Sequence, residues 1–478
     1  MPLRPPAIRP AARTRALLWL ALLSLLLPSG AGPTAAQSSD AQLSAEQADR
    51  FVEQAERWRR QLSEQMMPFW YDTALDPVGG GYLLPEAGTS NRLLASQARL
   101  MWSFARAHRL GLRDPGGRDY LAAASQGYRF LRAHFRDPLN GGYYWMTSRD
   151  GRPLDQRKFL HGQACMLHGL VEYYRASGDV AALQDAIDLH HTIMERAHDP
   201  VNGGWGEHFD VDWRPMVETE TVETGPTGRV SRRLPASRPM VDPHITGGIG
   251  VAGTKSAEAH LQLMAALTEL HRITRAPGAP AAAAEVKVEP ALAEALDVNL
   301  THFFPPDPGA AYPYRQPDWQ RPLGAKFREI NYGHNVAFAW LMLEAQAALG
   351  RDPLWQRFDA LLQHSLKHGF DHERGGLYAV GFGARPALVT EKIWWGQAEM
   401  LAALTTSVRH RAAPEHVEAL EQLLSFLTRH QIDPQDGVWF DAVKADGSPW
   451  RPAKAHGRKT SFHELRAMAR FIEAFGAS

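Results

Sequence analysis

Apolar positions along this chain recur at helical spacing, in blocks separated by a short glycine-bearing signature. One block reads Tyr120, Leu121, Ala124, Tyr128, Leu131 and Phe135, steps of three and four residues that share one helix face. It ends in Asp137-Pro138-Leu139-Asn140-Gly141-Gly142-Tyr143. Asp-Pro fixes a turn, and Gly-Gly permits positive φ, so the chain reverses there. The aromatic run Tyr143-Tyr144-Trp145-Met146 then predicts a short strand. A second helical block follows each signature, as in Leu93, Gln97, Leu100, Met101 and Phe104.

The signature recurs at Asp76-Pro77-Val78-Gly79-Gly80-Gly81-Tyr82 and at Asp199-Pro200-Val201-Asn202-Gly203-Gly204-Trp205. Weaker copies stand at Asp307-Pro308-Gly309, Asp371 to Leu377 and Asp433 to Trp439, with spacings of 61, 62, 108, 64 and 62 residues. The long interval holds a Thr/Glu/Arg/Pro-rich stretch at 216–254 and an Ala/Pro-rich one at 276–290. Without these insertions one period of about 60 residues runs through the chain, the mark of a repeat architecture. Length alone favours two or three domains, but the repeat favours a single one at 41–478 with an insertion at 216–254. Six units of helix, short β-hairpin and helix, each with an apolar face to bury, predict an all-α (α/α)6 toroid with the hairpins at one end. The second helices are apolar on nearly all sides, which suits a closed inner ring better than an open solenoid.

The first 36 residues change the picture of what surrounds this ring. Arg4, Arg9, Arg13 and Arg15 precede an apolar run from Ala16 to Leu27, and Thr34-Ala35-Ala36 follows. That is the plan of a cleavable secretory signal peptide, and the run is short for a membrane span. A periplasmic or secreted protein, free of the membrane after cleavage, is expected. Cleavage would remove four arginines and no acid from a chain with 52 basic and 52 acidic residues. A mildly acidic protein offers nothing to nucleic acid. Cys165 is the only cysteine, so neither an internal disulfide nor a cysteine-rich metal site is available.

Chemistry gathers at the starts of the second helices. These carry Gln97 and Arg99; His161 and Gln163; Glu258, His260 and Gln262; His334; Lys392, Trp394, Trp395 and Gln397; and His463. Each follows the glycine loop of its unit, so all face one end of the ring around an axial pocket. The tryptophan pair suits stacking on a sugar ring, while the glutamines have a plainer use in satisfying backbone groups. Ser461-Phe462-His463-Glu464 reads as a capping box, which would put His463 in the first helical turn, where the dipole favours neutral imidazole. Neutral imidazoles at His463 and His334 suit general acid–base work.

These residues resemble the N-acylglucosamine 2-epimerase superfamily, which includes cellobiose 2-epimerases and mannose isomerases. The resemblance runs in order through Gln97-Ala98-Arg99, Lys158 to Ala164, Lys255 to His260, Tyr332-Gly333-His334, Trp394 to Glu399 and Lys459 to His463. It implies an (α/α)6 barrel and cofactor-free chemistry on a small carbohydrate, by proton transfer at C2 through an enediolate. It further implies that His334 and His463 exchange the proton, and that Arg99 stabilises the oxyanion. His161, Glu258, His260, Gln262, Lys392, Trp394 and Trp395 would bind the sugar.

The chain departs from the family pattern in five places. The Glu that supports the first histidine is Ala337, an Asn is Glu258, a second His is Gln262, the Glu that closes that middle cluster is Ala265, and a Trp before the last histidine is Arg458. The expected activity is a sugar 2-epimerase or aldose–ketose isomerase. A non-catalytic sugar-binding descendant and a glycoside hydrolase on the same scaffold are the alternatives.

Overall fold

Two kinds of helix follow from two kinds of pattern. In chain order the longer helices are α1 (Ala45–Gln61), α2 (Met67–Ala74), α3 (Leu94–Arg109), α4 (Tyr120–His134), α5 (Leu160–Ser177), α6 (Val180–Arg196) and α7 (Ala257–Thr274). They continue with α8 (Glu289–Val298), α9 (Tyr332–Ala348), α10 (Trp355–Gly369), α11 (Trp394–Arg411), α12 (Pro414–Phe426) and α13 (Phe462–Phe475). The computed structural model describes residues 42–84, 90–216, 219–224, 228–233, 253–306 and 311–476. The expected leader at 1–36 and the Asp307 signature lie outside these residues. Within the 216–254 insertion, strands Thr219–Thr224 and Gly228–Arg233 pair antiparallel.

Helix α5 is buried at every position from Leu160 to Tyr173, and α11 from Gly396 to Val408. A helix buried all round belongs inside a fold. The outer helices bury one stripe each, as α10 does with Phe358, Leu361, Leu362, Ser365 and Leu366. Three of them are capped at the start: Ser44 and Gln47 form a capping box on α1, and the Asp119 and Asp179 carboxylates accept from Ala122 and Ala181 N–H at 2.9 Å on α4 and α6.

Packing contacts run α3–α5–α7–α9–α11–α13, and α13 returns to α3. The inner ring is therefore closed, an (α/α)6 toroid. Outer helices α4, α6, α8, α10 and α12 each pack on the inner helix that precedes them, while α1 packs on α13, so the first and last helices fasten the ring.

The repeated signature has one physical explanation. Its aspartate accepts the N–H groups two and three residues on, as Asp137 does from Leu139 at 3.0 Å and Asn140 at 3.1 Å. The same carboxylate meets a cation from the segment before the next inner helix. These pairs are Arg92–Asp76 at 2.6 Å, Lys158–Asp137, Lys255–Asp199 and Lys392–Asp371 at 2.8 Å each, and Lys454–Asp433 at 2.7 Å. Gly141 and Gly142 turn the loop with φ of 76° and 68°. A Cβ on Gly142 would stand 2.6 Å from the Trp213 ring.

A second clasp comes from the fourth residue of the inner helices. Gln97, Gln163 and Gln397 each bond both the N–H and the carbonyl of Tyr82, Tyr143 and Leu377. Asn335 accepts from Ala311 N–H at 2.7 Å. The glutamines thus take the plainer of their two readings.

The strands also extend the expected picture. Each of the five described loops closes on itself through a single bridge, as Arg136 with Tyr143. The two-residue strand before each of the first five inner helices pairs with the next unit, as Arg92–Leu93 with Met146–Thr147 and Lys158–Phe159 with His208–Phe209. Neighbouring units are thereby stitched together at one rim.

Breaking a fully buried ion pair leaves an uncompensated charge, a loss of about 3–5 kcal/mol. Lys158→Met is expected to lower unfolding stability by that amount in urea titration, whereas removing Arg50 from its exposed pair with Glu421 changes little.

Candidate active site

The inner helices start at one mouth of the ring, where their first turns enclose a cavity of ≈ 310 Å³. Arg99 enters from α3, His161 from α5, Glu258 and Gln262 from α7, His334 from α9, Trp394, Trp395 and Glu399 from α11, and His463 and Arg466 from α13. Six helices therefore converge on one space, with residues of the connecting segments such as Trp145, Tyr314 and Arg458 completing its wall. Trp395 stands between the two histidines, its ring centroid 5.0 Å from His334 and 6.2 Å from His463.

His463 is held by a carboxylate. Its Nδ1–H donates to Glu399 Oε1 at 2.8 Å, which leaves Nε2 as the ring's free lone pair. Glu399 in turn accepts from Trp340 Nε1 at 2.9 Å and is gripped by Arg466 Nη2. Burial is the largest influence on His463 and pushes its pKa down to about 4. Burial also opposes ionisation of Glu399, but Arg466 and the His463 bond outweigh it and hold the carboxyl at about 2. A neutral imidazole beside an ionised carboxylate results.

His334 is set differently. Asn331 caps α9 by accepting from His334 N–H at 3.2 Å, which fixes the backbone but not the ring. Its Nδ1 is buried with no hydrogen-bond partner among the described residues, as Ala337 one turn on would leave it. Burial lowers the His334 pKa, while Glu258 and Glu399 pull it back.

Arg99 lies over the Phe462 ring at 5.2 Å, and its Nη2 is 3.4 Å from His161 Nε2. No carboxylate lies within ion-pair distance of it among the described residues. His161 Nε2 also meets Glu258 Oε1 at 3.5 Å and Cys165 Sγ at 3.9 Å. Burial disfavours the charged His161, yet Cys165 and Glu258 outweigh it and raise its pKa. The Glu258 carboxyl, opposed by burial but surrounded by His161, His334, Arg458 and Arg99, falls to about 2.

Arg99, His161, Glu258, Gln262, His334, Trp394, Trp395 and His463 all border this cavity, and so do Ala337 and Arg458. Lys392 and His260 do not. Lys392 is fully buried with Nζ on Asp371 at 2.8 Å and the Gly375 carbonyl at 2.7 Å, so its place is the loop lock. His260 accepts from Trp205 N–H at 3.1 Å through Nε2 and bonds the Ser256 carbonyl through Nδ1, the task the glutamines perform elsewhere.

The expected capping box at Ser461 is also absent. Ser461 is helical in φ and ψ and makes no side-chain cap, because Lys459 Nζ captures the Glu464 carboxylate at 2.6 Å. The neutral state of His463 stands on burial rather than on that cap. Glu399 went unassigned, although it closes the Trp394 to Glu399 run, five residues past Trp394, within an apolar stretch.

A sequence profile for N-acylglucosamine 2-epimerase (GlcNAc 2-epimerase) matches residues 85–221 and 258–467. The chain belongs to the N-acylglucosamine 2-epimerase family. The cellobiose 2-epimerase of Bacteroides fragilis is 25% identical over 411 residues, covering 82% of this chain and 91% of that protein. The structure of a cellobiose 2-epimerase from Spirochaeta thermophila is 26% identical with a TM-score of 0.74, covering 90% of this chain and 99% of that one. A D-mannose isomerase shares the fold at 18% identity, with a TM-score of 0.69 over 91% of this chain and 100% of that one. In this member of the family the cavity joins one carboxylate-held histidine to one without such support.

The low pKa of His463 sets a pH dependence. Unfolded, the imidazole takes a proton near pH 6.5; folded, it refuses one until about pH 4. Its contribution to stability is fully present above pH 6.5 and is lost as pH falls toward 4. Between pH 7 and 5 His463→Asn is expected to lose less stability than the parent chain in urea unfolding; an unchanged loss contradicts the buried neutral imidazole.

Proposed function

We propose that this chain is an exported sugar 2-epimerase or aldose–ketose isomerase that moves a proton at C2 of an open-chain aldose. The observation that carries this reading is the His463–Glu399 pair, facing His334 and Arg99 in one sugar-sized cavity. His463 Nε2, neutral at physiological pH, takes the C2 proton. The imidazolium so formed is stabilised by Glu399, and the enediolate oxygen is stabilised by Arg99, which makes no ion pair among the described residues. His334, which must first take a proton from solvent, donates that proton to the opposite face of C2 for epimerisation or to C1 for the ketose, and the proton held by His463 is released to solvent to reset the pair. Trp394 and Trp395 offer the aromatic wall against which a pyranose stacks, and the family membership supports the same chemistry.

The missing carboxylate at Ala337 has a counterpart one helix away. Glu258 on α7 acts electrostatically on His334, so a carboxylate faces that histidine from the neighbouring helix. Hydrolysis of a glycosidic bond is a weaker reading, since it needs two available carboxyl groups across the bond. Glu399 is committed to His463, Arg466 and Trp340. Export rests on the leader at 1–36, and N-terminal sequencing of the processed protein tests it.

Purified protein screened against aldoses and disaccharides, with products resolved by chromatography, is expected to yield a 2-epimer or a ketose. His463→Ala and His334→Ala are each expected to lower turnover about 10²–10⁴-fold with the far-ultraviolet spectrum intact. Glu258→Gln is expected to lower turnover while leaving His463-linked stability unchanged. Full turnover in either histidine variant refutes the assigned roles.

A further inference from the structure

Beneath the sugar cavity the ring encloses a second one of ≈ 390 Å³, among the C-terminal halves of α3, α5, α7, α9 and α13. Leu341 and Arg466 border both. The wall of the second cavity carries six arginines and four glutamates, and with Glu399 paired to Arg466 an excess of one positive charge remains. Most of these charges form a belt between inner helices: Arg109–Glu172 at 2.6 Å, Arg175–Glu269 at 2.5 Å, Arg470–Glu344 at 2.7 Å and Arg106–Glu473 at 2.5 Å. The belt alone would be a structural device.

Three groups in this wall do not belong to the belt. Trp102 Nε1, His168 Nδ1 and Arg466 Nη1 are buried with no hydrogen-bond partner among the described residues. Indole and guanidinium nitrogens can only donate. Burial first, and then Arg466, Arg175 and other guanidiniums, push His168 down to about 3, so it is a neutral ring that can donate too. A buried donor left unmade is costly, and such groups call for an acceptor. Trp102 and His168 are the ninth residues of their helices. At that depth the negative ends of the helix dipoles, which fade within a turn, do not cancel the arginine excess.

We propose that this second cavity binds a small oxyanion, a single carboxylate or phosphate group on a small molecule, and that its occupant acts on the sugar site through Arg466. One arm of that guanidinium already holds Glu399, which orients His463; the other, Nη1, has no hydrogen-bond partner among the described residues. An anion accepting from Nη1 would share Arg466 with Glu399 and so shift the His463 ring. The coupling rests on the function proposed above, whereas the binding itself does not.

Calorimetry on the full chain, with ionic strength held by sodium chloride, would use inorganic phosphate in one arm and acetate in another. Saturable binding at one site per chain is expected in at least one arm, which also tells which group the cavity prefers. Trp102→Phe deletes one donor and is expected to weaken binding about fivefold, the worth of one hydrogen bond. Arg109→Gln serves as a second variant, expected to weaken binding in the same direction. The occupied protein is expected to bind its sugar at least about twofold differently, with the reciprocal effect of sugar on anion. No saturable heat in either arm, or parent-like affinity in both variants, overturns the site. Anion binding with unchanged sugar affinity overturns the coupling.

Discussion

The ring depends on a buried aspartate that is satisfied from two directions. Its oxygens close a tight turn by accepting backbone N–H groups, and a lysine or arginine from the segment entering the next inner helix neutralises it. A buried charge left alone is prohibitive and a buried pair is neutral at best. The pair therefore gives register rather than net stability: it fixes where each helix begins relative to its loop. The pair recurs in five described loops, buried at Asp76, Asp137 and Asp371 and partly exposed at Asp199 and Asp433, so five inner helices begin at one level around the axis.

Function inherits that level. A cavity bordered by first turns draws its residues from helices far apart in sequence, and small errors in helix start would scatter them. The clasps formed by Gln97, Gln163, His260, Asn335 and Gln397 refine the placement. Glu399, one turn deeper than Trp395, then orients His463 from a rigid helix. The two histidines differ in support, and the difference traces to two substitutions against the family pattern: an alanine where a glutamate would sit, and a glutamate on the adjacent helix.

Much of this was legible in the chain itself. A period of glycine signatures gave six units, and the position of Arg99, His334 and His463 just after those signatures placed them at one mouth. The misassignments share a cause. Lys392 and His260 sit at the same level as the cavity residues, but their partners, Asp371 and Trp205, lie 21 and 55 residues away, so spacing cannot tell a loop lock from a ligand contact. The Ser461 cap failed because Lys459 competes for Glu464. Arg466 and the arginine belt were invisible for a related reason, since charged residues late in an apolar helix read as a solvated end until the ring closes over them.

The most direct test of the central claim is nuclear magnetic resonance of aldoses incubated with the enzyme in deuterated water. If His463 and His334 exchange a proton through an enediolate, deuterium enters at C2 of a substrate aldose, and it does so even in recovered starting sugar. A folded protein that converts a sugar without solvent deuterium at C2 or C1, or that exchanges none with any aldose it binds, contradicts the account.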